Sequence, residues 1–254
     1  MRTTLEITTK ASCPIRCSFC PQDKLKGAYK GEEKELTAEN FDKILAAIPK
    51  DCEVHFSGFV EPLINAAAPF YIYQAKAAGF KVELYTTLVG LTETGLEVIA
   101  RIPLDYVRIH VPDRKAMIIP DAKWISFHAI WRQREIYCTY MAMGPRTDHV
   151  QEYLTALGIA VDDPTMLSRG GNLWERTRIE GKLKCNAERW HQNVIMPNGD
   201  VYLCCMAYDM RDYLGNLFNQ PYADIYHNAE MIRAKAEQGQ APELCRQCEW
   251  AQAL

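Results

Sequence analysis

The chain has 254 residues, 48% of them hydrophobic and 24% charged, with a formal net charge of -3. That length suits one large α/β domain with at most a small appendage, and the apolar fraction is enough for a buried core. The balanced charge, without a long basic run, argues against a nucleic-acid partner; no stretch approaches the ~20 apolar residues of a membrane span, and no apolar targeting segment opens the chain.

Residues 4–8 alternate apolar and polar side chains as a first strand does. A cysteine-rich loop follows, and the polar run over 24–35 reads as a solvated loop. Thr37 is an N-cap for a helix carrying Phe41, Ile44, Leu45 and Ile48, ended by Pro49. Residues 54–56 read as a second strand. A helix from Tyr71 to Ala78, stopped by Gly79, leads into a third strand over 81–85. Thr92 caps a helix through Leu96, Val98 and Ile99, and 107–111 form a fourth strand. Residues 125–128 and 136–140 read as two more strands, before a helix over 148–157. This alternation predicts βαβ units and a parallel sheet. Six strands fall short of a closed eight-strand barrel, so an open, partial barrel is expected. The turn-rich segment Ser168-Arg169-Gly170-Gly171-Asn172 then leads into a cysteine-rich module, and a boundary is placed at residue 175.

The ten cysteines carry the chemistry. Without an export signal a disulfide framework is not expected, and clustered, reduced cysteines bind metal. Cys13, Cys17 and Cys20 form C-x3-C-x2-C directly after the first strand. Three thiolates hold three irons of a [4Fe–4S] cube and leave the fourth open, as in a catalytic site. A second set is Cys185, Cys204, Cys245 and Cys248. Asn198-Gly199 predicts a hairpin turn between strands at 193–196 and 201–203. Cys185 and Cys204 thus flank a hairpin to which the last pair returns. Four thiolates there hold zinc or an iron–sulfur cluster, and spacing alone leaves both open. Cys52 and Cys138 read as small buried hydrophobes, and Cys205 as pointing away from the site that Cys204 serves. Trp174, Trp190 and Trp250 are expected to pack the small module.

With aromatic Phe19 before its last cysteine, the C-x3-C-x2-C motif resembles that of the radical S-adenosylmethionine (radical SAM) superfamily. The resemblance implies that SAM chelates the open iron, and that one electron from the cluster cleaves it to methionine and a 5′-deoxyadenosyl radical. The protein then supplies orientation and excludes side reactions. Phe56-Ser57-Gly58-Phe59-Val60-Glu61-Pro62 resembles the superfamily's glycine-rich SAM-binding segment. This carries over Ser57, Gly58 and Glu61 as SAM contacts, with Phe19 beside them; Val60 stands where a glycine is more usual. Sites in barrel-like folds lie at the C-terminal strand ends, which adds Thr86, Thr87 and His110 as contacts for the SAM ribose or carboxylate.

The second cysteine set resembles the twitch domain, the shortened SPASM domain that binds one auxiliary [4Fe–4S] cluster. Cys185, Cys204, Cys245 and Cys248 are then its ligands. The architecture implied is α/β: a partial (β/α)6 barrel of the radical SAM type over 1–175, then a twitch domain of β-hairpin and helix over 176–254. The layout is similar to twitch enzymes that oxidise an aminocyclitol alcohol and to twitch proteins of sugar or polysaccharide biosynthesis. It implies an oxidoreductase that abstracts hydrogen from a small polyol, aminocyclitol or sugar and passes the second electron to the auxiliary cluster. Arg169 is carried over as a substrate contact.

Two alternatives stay open. One is a redox-neutral epimerase with a cysteine hydrogen donor, for which Cys138 is the candidate. The other is peptide modification, made less expected because no leader-peptide-binding domain is visible. Oxygen-labile clusters imply a reduced cytoplasm, with flavodoxin or ferredoxin as electron donor.

Overall fold

In the computed structural model, which describes residues 3–115, 118–187 and 189–254, the first strand lies inside an eight-stranded sheet. The elements run, in order, β1 (Thr4–Ile7), α1 (Gln22–Ala28), α2 (Ala38–Ala47), β2 (Glu53–Phe56), α3 (Ala68–Ala77), β3 (Val82–Thr86), α4 (Glu93–Ile99) and β4 (Tyr106–His110). Then come α5 (Asp121–Gln133), β5 (Thr139–Met141), α6 (Asp148–Ala156), β6 (Leu183–Cys185), β7 (Gln192–Ile195), β8 (Asp200–Tyr202) and β9 (Tyr213–Asn216). The chain ends in α7 (Tyr222–Glu237), α8 (Glu243–Arg246) and β10 (Ala251–Ala253). The sheet order is β5-β4-β3-β2-β1-β7-β8-β9, parallel from β5 to β7.

The strand pattern explains the layering. Leu5, Ile7, Val54, Phe56, Val82, Leu84, Val107 and Ile109 are buried in the core that includes Phe41, Ile44, Ile72 and Trp124 of the helices. The residues that alternate with them, Glu6, His55, Glu83, Tyr85 and Arg108, point to the opposite, inner face. Thr37, Thr92 and Thr147 cap α2, α4 and α6, accepting from the N–H groups of Asn40, Gly95 and Val150. Each such cap contributes about 1 kcal/mol.

Three expectations change. The polar run over 24–35, expected as a loop, begins inside α1, which buries Leu25. Residues 125–128, expected as a strand, lie inside α5. Trp124, Phe127, His128 and Trp131 are buried at a spacing of three to four, the period of a helix face, whereas the four-residue alternation is too short to decide. The strand expected at 136–140 is shorter and shifted, covering Thr139–Met141. The sixth parallel strand comes from the C-terminal region: β7 lies beside β1, with Thr4 opposite Gln192 and Ile7 opposite Ile195. The hairpin at Asn198-Gly199 then adds β8 and β9 antiparallel. At Gly199 φ is +85°, and a Cβ would stand 2.6 Å from the Phe218 ring, so the turn requires glycine. β6 pairs with β10, setting Cys185 opposite Ala251. No described helix is long and apolar enough to cross a membrane.

Candidate active site

The inner faces of the parallel strands and the loops at their C-terminal ends enclose a cavity of ≈ 620 Å³. Cys13, Cys17, Phe19 and Cys20 face it from the loop after β1. Two polar residues hold that loop. Gln22 accepts from the Cys13 N–H at 3.1 Å and donates to the Phe59 carbonyl at 2.5 Å and to Cys20 Sγ at 3.4 Å. Asp113, fully buried beyond β4, accepts from Ser18 N at 2.8 Å and Ser18 Oγ at 2.5 Å. The cysteine loop is thus tied to the ends of β2 and β4. Burial pushes the Cys13 thiol up to about 11 and raises Cys17 as well. Such thiols ionise when a metal supplies positive charge.

The segment after β2 is built around Glu61. Its carboxylate is buried and accepts from Thr86 Oγ1 at 2.6 Å, Thr87 N at 2.5 Å, Thr87 Oγ1 at 2.8 Å and Leu63 N at 3.1 Å. Burial raises its pKa against these bonds. Glu61 therefore locks the end of β3 to the end of β2. Gly58 has φ +60°, and a Cβ there would stand 2.4 Å from Thr8 Oγ1. Ser57, Gly58, Val60, Glu61 and Thr87 line the cavity. Thr86 does not: it is buried, and its hydroxyl is engaged with Glu61. His110, at the end of β4, lines the cavity, and burial together with Arg169 and Arg108 pushes its imidazole down to about 4, so it is neutral at pH 7.

Cys185, Cys204, Cys245 and Cys248 line a second, apolar cavity. Among the described residues, the only three-residue group whose ligand atoms all lie within 4.8 Å of one another is Glu53, His55 and Glu83. A donor set of four thiols suits an iron–sulfur cluster. The buried Nε of Arg189, a residue that also lines this cavity, has no partner among the described residues and would offer a donor to a cluster sulfur. Both cysteine sets thus fit the groups expected of them. Cys204 lines the second cavity and Cys205 the first.

Arg169 sits in the loop before the C-terminal module, at φ +58°. Glu249 holds that loop, accepting from the backbone N–H of Ser168 and of Gly170. The Arg169 side chain lines the large cavity, with Nε 3.4 Å from the Phe19 carbonyl. Cys138 is placed elsewhere: its thiol donates to Tyr140 Oη at 3.1 Å, and it is not part of the cavity lining. The cavity thiol outside the C-x3-C-x2-C motif is Cys205. Trp190 is buried, Trp174 is 45% exposed rather than packed, and Trp250 lines both cavities.

The reading from sequence missed the polar wall opposite the cysteine loop: Glu6, His55, Arg108, Arg189 and Gln192. Glu6 is 6% exposed, its Oε2 accepts from Ser57 Oγ at 3.0 Å, and burial raises its pKa against nearby Arg189 and His55. Near His55, Lys81 bridges Glu53 and Glu83 at 3.0 and 3.1 Å, offsetting part of their charge. The signal was available: on β1, β2 and β4 a polar residue stands between two buried apolar ones, which marks a wet inner face.

Residues 7–157 match the radical SAM superfamily, and residues 185–249 match SPASM, an iron–sulfur cluster-binding domain. A PqqA peptide cyclase of Streptomyces rochei is 32% identical over 113 residues, which is 43% of this chain and 29% of that protein. The chain therefore spans under a third of that relative. Among solved structures, BtrN in complex with AdoMet and 2-DOIA is 16% identical with a TM-score of 0.66, over 98% of this chain and 93% of that one. Streptococcus suis SuiB bound to precursor peptide SuiA is 12% identical with a TM-score of 0.68, over 97% and 71%. Native anSMEcpe with bound AdoMet is 12% identical with a TM-score of 0.66, over 98% and 87%. At these identities the structures show a shared fold.

Proposed function

Because the chain belongs to the radical SAM superfamily, we propose that it oxidises an alcohol carbon of a small polyol, aminocyclitol or sugar, with residues 1–175 as core and 176–254 as the auxiliary-cluster region. Cys13, Cys17 and Cys20 would hold the first [4Fe–4S] cluster, and Cys185, Cys204, Cys245 and Cys248 the second. Bound SAM and the first cluster supply a carbon-centred radical, and the second cluster a one-electron acceptor. Oxidation of a carbinol to a ketone removes one hydrogen atom, one proton and one electron, and each needs a destination.

The observation that carries this reading is the shared wall: Arg189 and Trp250 line both cavities, so the second cysteine site lies next to the substrate space. The chain's own residues do the rest. Arg108, His110 and Gln192 offer donors and acceptors to hydroxyl groups. Neutral His110 can donate or accept without bringing charge. Arg169 orients substrate from the side of the cysteine loop. Glu6 is the proton acceptor, a buried carboxylate on the cavity wall whose raised pKa suits a general base. The fold shared with BtrN over almost the whole of both chains supports a small-molecule substrate.

A second reading has its own observation. The Cys205 thiol on the cavity wall would return a hydrogen atom to the substrate carbon, giving epimerisation in place of oxidation. Incubating the reduced, reconstituted protein with SAM and candidate polyols in deuterated buffer decides between them. A product two mass units lighter supports oxidation, whereas a product that has gained solvent deuterium at carbon supports epimerisation. Product formation from a peptide and from none of the polyols defeats both.

A further inference from the structure

Arg189 occupies an unusual place. It follows β6, which carries Cys185, and precedes β7, which joins the parallel sheet. Its guanidinium carbon lies 3.9 Å from the centroid of the Trp250 ring, a stack that fixes the plane of the fork. On the side of the large cavity, Nη1 donates to Gln192 Oε1 at 2.9 Å and to Cys205 Sγ at 3.4 Å. Nε is buried with no partner among the described residues. A buried guanidinium with an unmade hydrogen bond is costly unless negative charge lies beside it. Glu6 lies near it, and a second site loaded with thiolates, Cys204 and Cys185 among them, would add negative charge and an acceptor sulfur.

We infer that Arg189 is a positioning residue that directs a fixed positive charge at the auxiliary cluster from the shared wall and so raises its tendency to accept an electron from the substrate side. Hydrogen bonds to cluster sulfurs and nearby charge are among the determinants of such potentials. Trp250 holds the plane of the guanidinium, and Gln192 and Cys205 hold its opposite edge at the substrate. The inference rests on the proposed acceptor role of the second cluster and deepens it.

The test reads the potential directly, without substrate. In a Cys17→Ala background, which removes a ligand of the first cluster, the full-length protein is reconstituted and titrated anaerobically by electron paramagnetic resonance. Arg189→Gln lowers the midpoint potential of the second cluster, by about tenfold in the one-electron equilibrium, or ~59 mV. Arg189→Lys recovers part of the shift. Arg211→Gln, which removes a guanidinium from a side chain 72% exposed, leaves the potential where it was. An unchanged potential in Arg189→Gln overturns the inference. Should Arg189→Gln not load the cluster, Trp250→Leu decides, because it keeps the charge but frees the guanidinium from its stack. A lowered potential in that variant supports the inference and an unchanged one overturns it. The acceptor role is judged separately, by the product mass of the wild-type protein.

Discussion

Cys204 and Cys205 are neighbours in the chain and face different cavities, Cys204 the apolar one with Cys185, Cys245 and Cys248, and Cys205 the large one beside Arg189. This division has a direct consequence for metal content. Two cubes hold roughly eight irons per chain. Cys204→Ala should bring the reconstituted protein to roughly four irons per chain, whereas Cys205→Ala should keep roughly eight. Iron and acid-labile sulfide analysis reads both. Loss of four irons in Cys205→Ala would reassign that thiol as a ligand.

Glu61 receives four donors, two on each carboxylate oxygen. Glu61→Gln keeps the shape but turns one oxygen into a donor. Whichever way the amide sits, it faces groups that need an acceptor: Thr87 N and Oγ1 on one side, Thr86 Oγ1 and Leu63 N on the other. The expected loss of stability is about 1–3 kcal/mol. Because the segment from Ser57 to Glu61 lines the cavity, affinity for SAM should fall too. Thermal unfolding and equilibrium dialysis against labelled SAM test the two effects, and a variant with wild-type values in both would remove Glu61 from this role.

His128 is fully buried between Tyr153 Oη, 3.0 Å from Nδ1, and Tyr140 Oη, 2.9 Å from Nε2. Burial, with a contribution from Arg132, pushes its pKa down to about 4. The unfolded chain, with His near 6.5, binds more protons between those values. The stability due to neutral His128 is therefore complete above about pH 6.5 and is lost as pH falls toward 4, by about 2 kcal/mol at pH 5. Urea unfolding at pH 7.5 should give a higher stability than at pH 5, and His128→Gln should shrink that difference by the His128 contribution, since His110, also pushed down to about 4, acts in the same direction in both proteins. The comparison with the variant is needed because Glu6 and Glu61, whose pKa values are raised, act in the opposite direction.

Much of this could be read from the chain, and the rest could not, for physical reasons. The cysteine loop, the glycine-rich segment and the second cysteine set are local or strongly spaced signals, and β1 to β4 show their buried face in the sequence. Residues 125–128 misled because four residues of alternation cannot outweigh the longer helical spacing of Trp124, Phe127, His128 and Trp131. Cys138 was the thiol to watch because a late strand in a barrel ends near the site. The strand there is short, and Tyr140 takes the thiol's hydrogen bond. Arg189 and Cys205 were hidden by topology. They reach the cavity because β7 pairs in parallel with β1, a long-range register that no local pattern announces.

The same register brings Arg189 near Glu6, on which the final prediction rests. Glu6 belongs to the inner face of β1, 6% exposed, with Oε2 held by Ser57 Oγ at 3.0 Å. Glu6→Gln preserves an acceptor for Ser57 and removes the base. Hydrogen abstraction does not require Glu6, because it precedes loss of the hydroxyl proton. Deoxyadenosine formation with a stimulating polyol should therefore continue, whereas product formation falls by about 10²–10⁴-fold, the usual contribution of a general base. In the wild type, product formation should rise with pH as Glu6 ionises, and the variant should lack that limb. Both rates come from one chromatographic run at each pH. If product and deoxyadenosine fall together, Glu6 binds substrate rather than taking its proton; if neither falls, the proton leaves by another route.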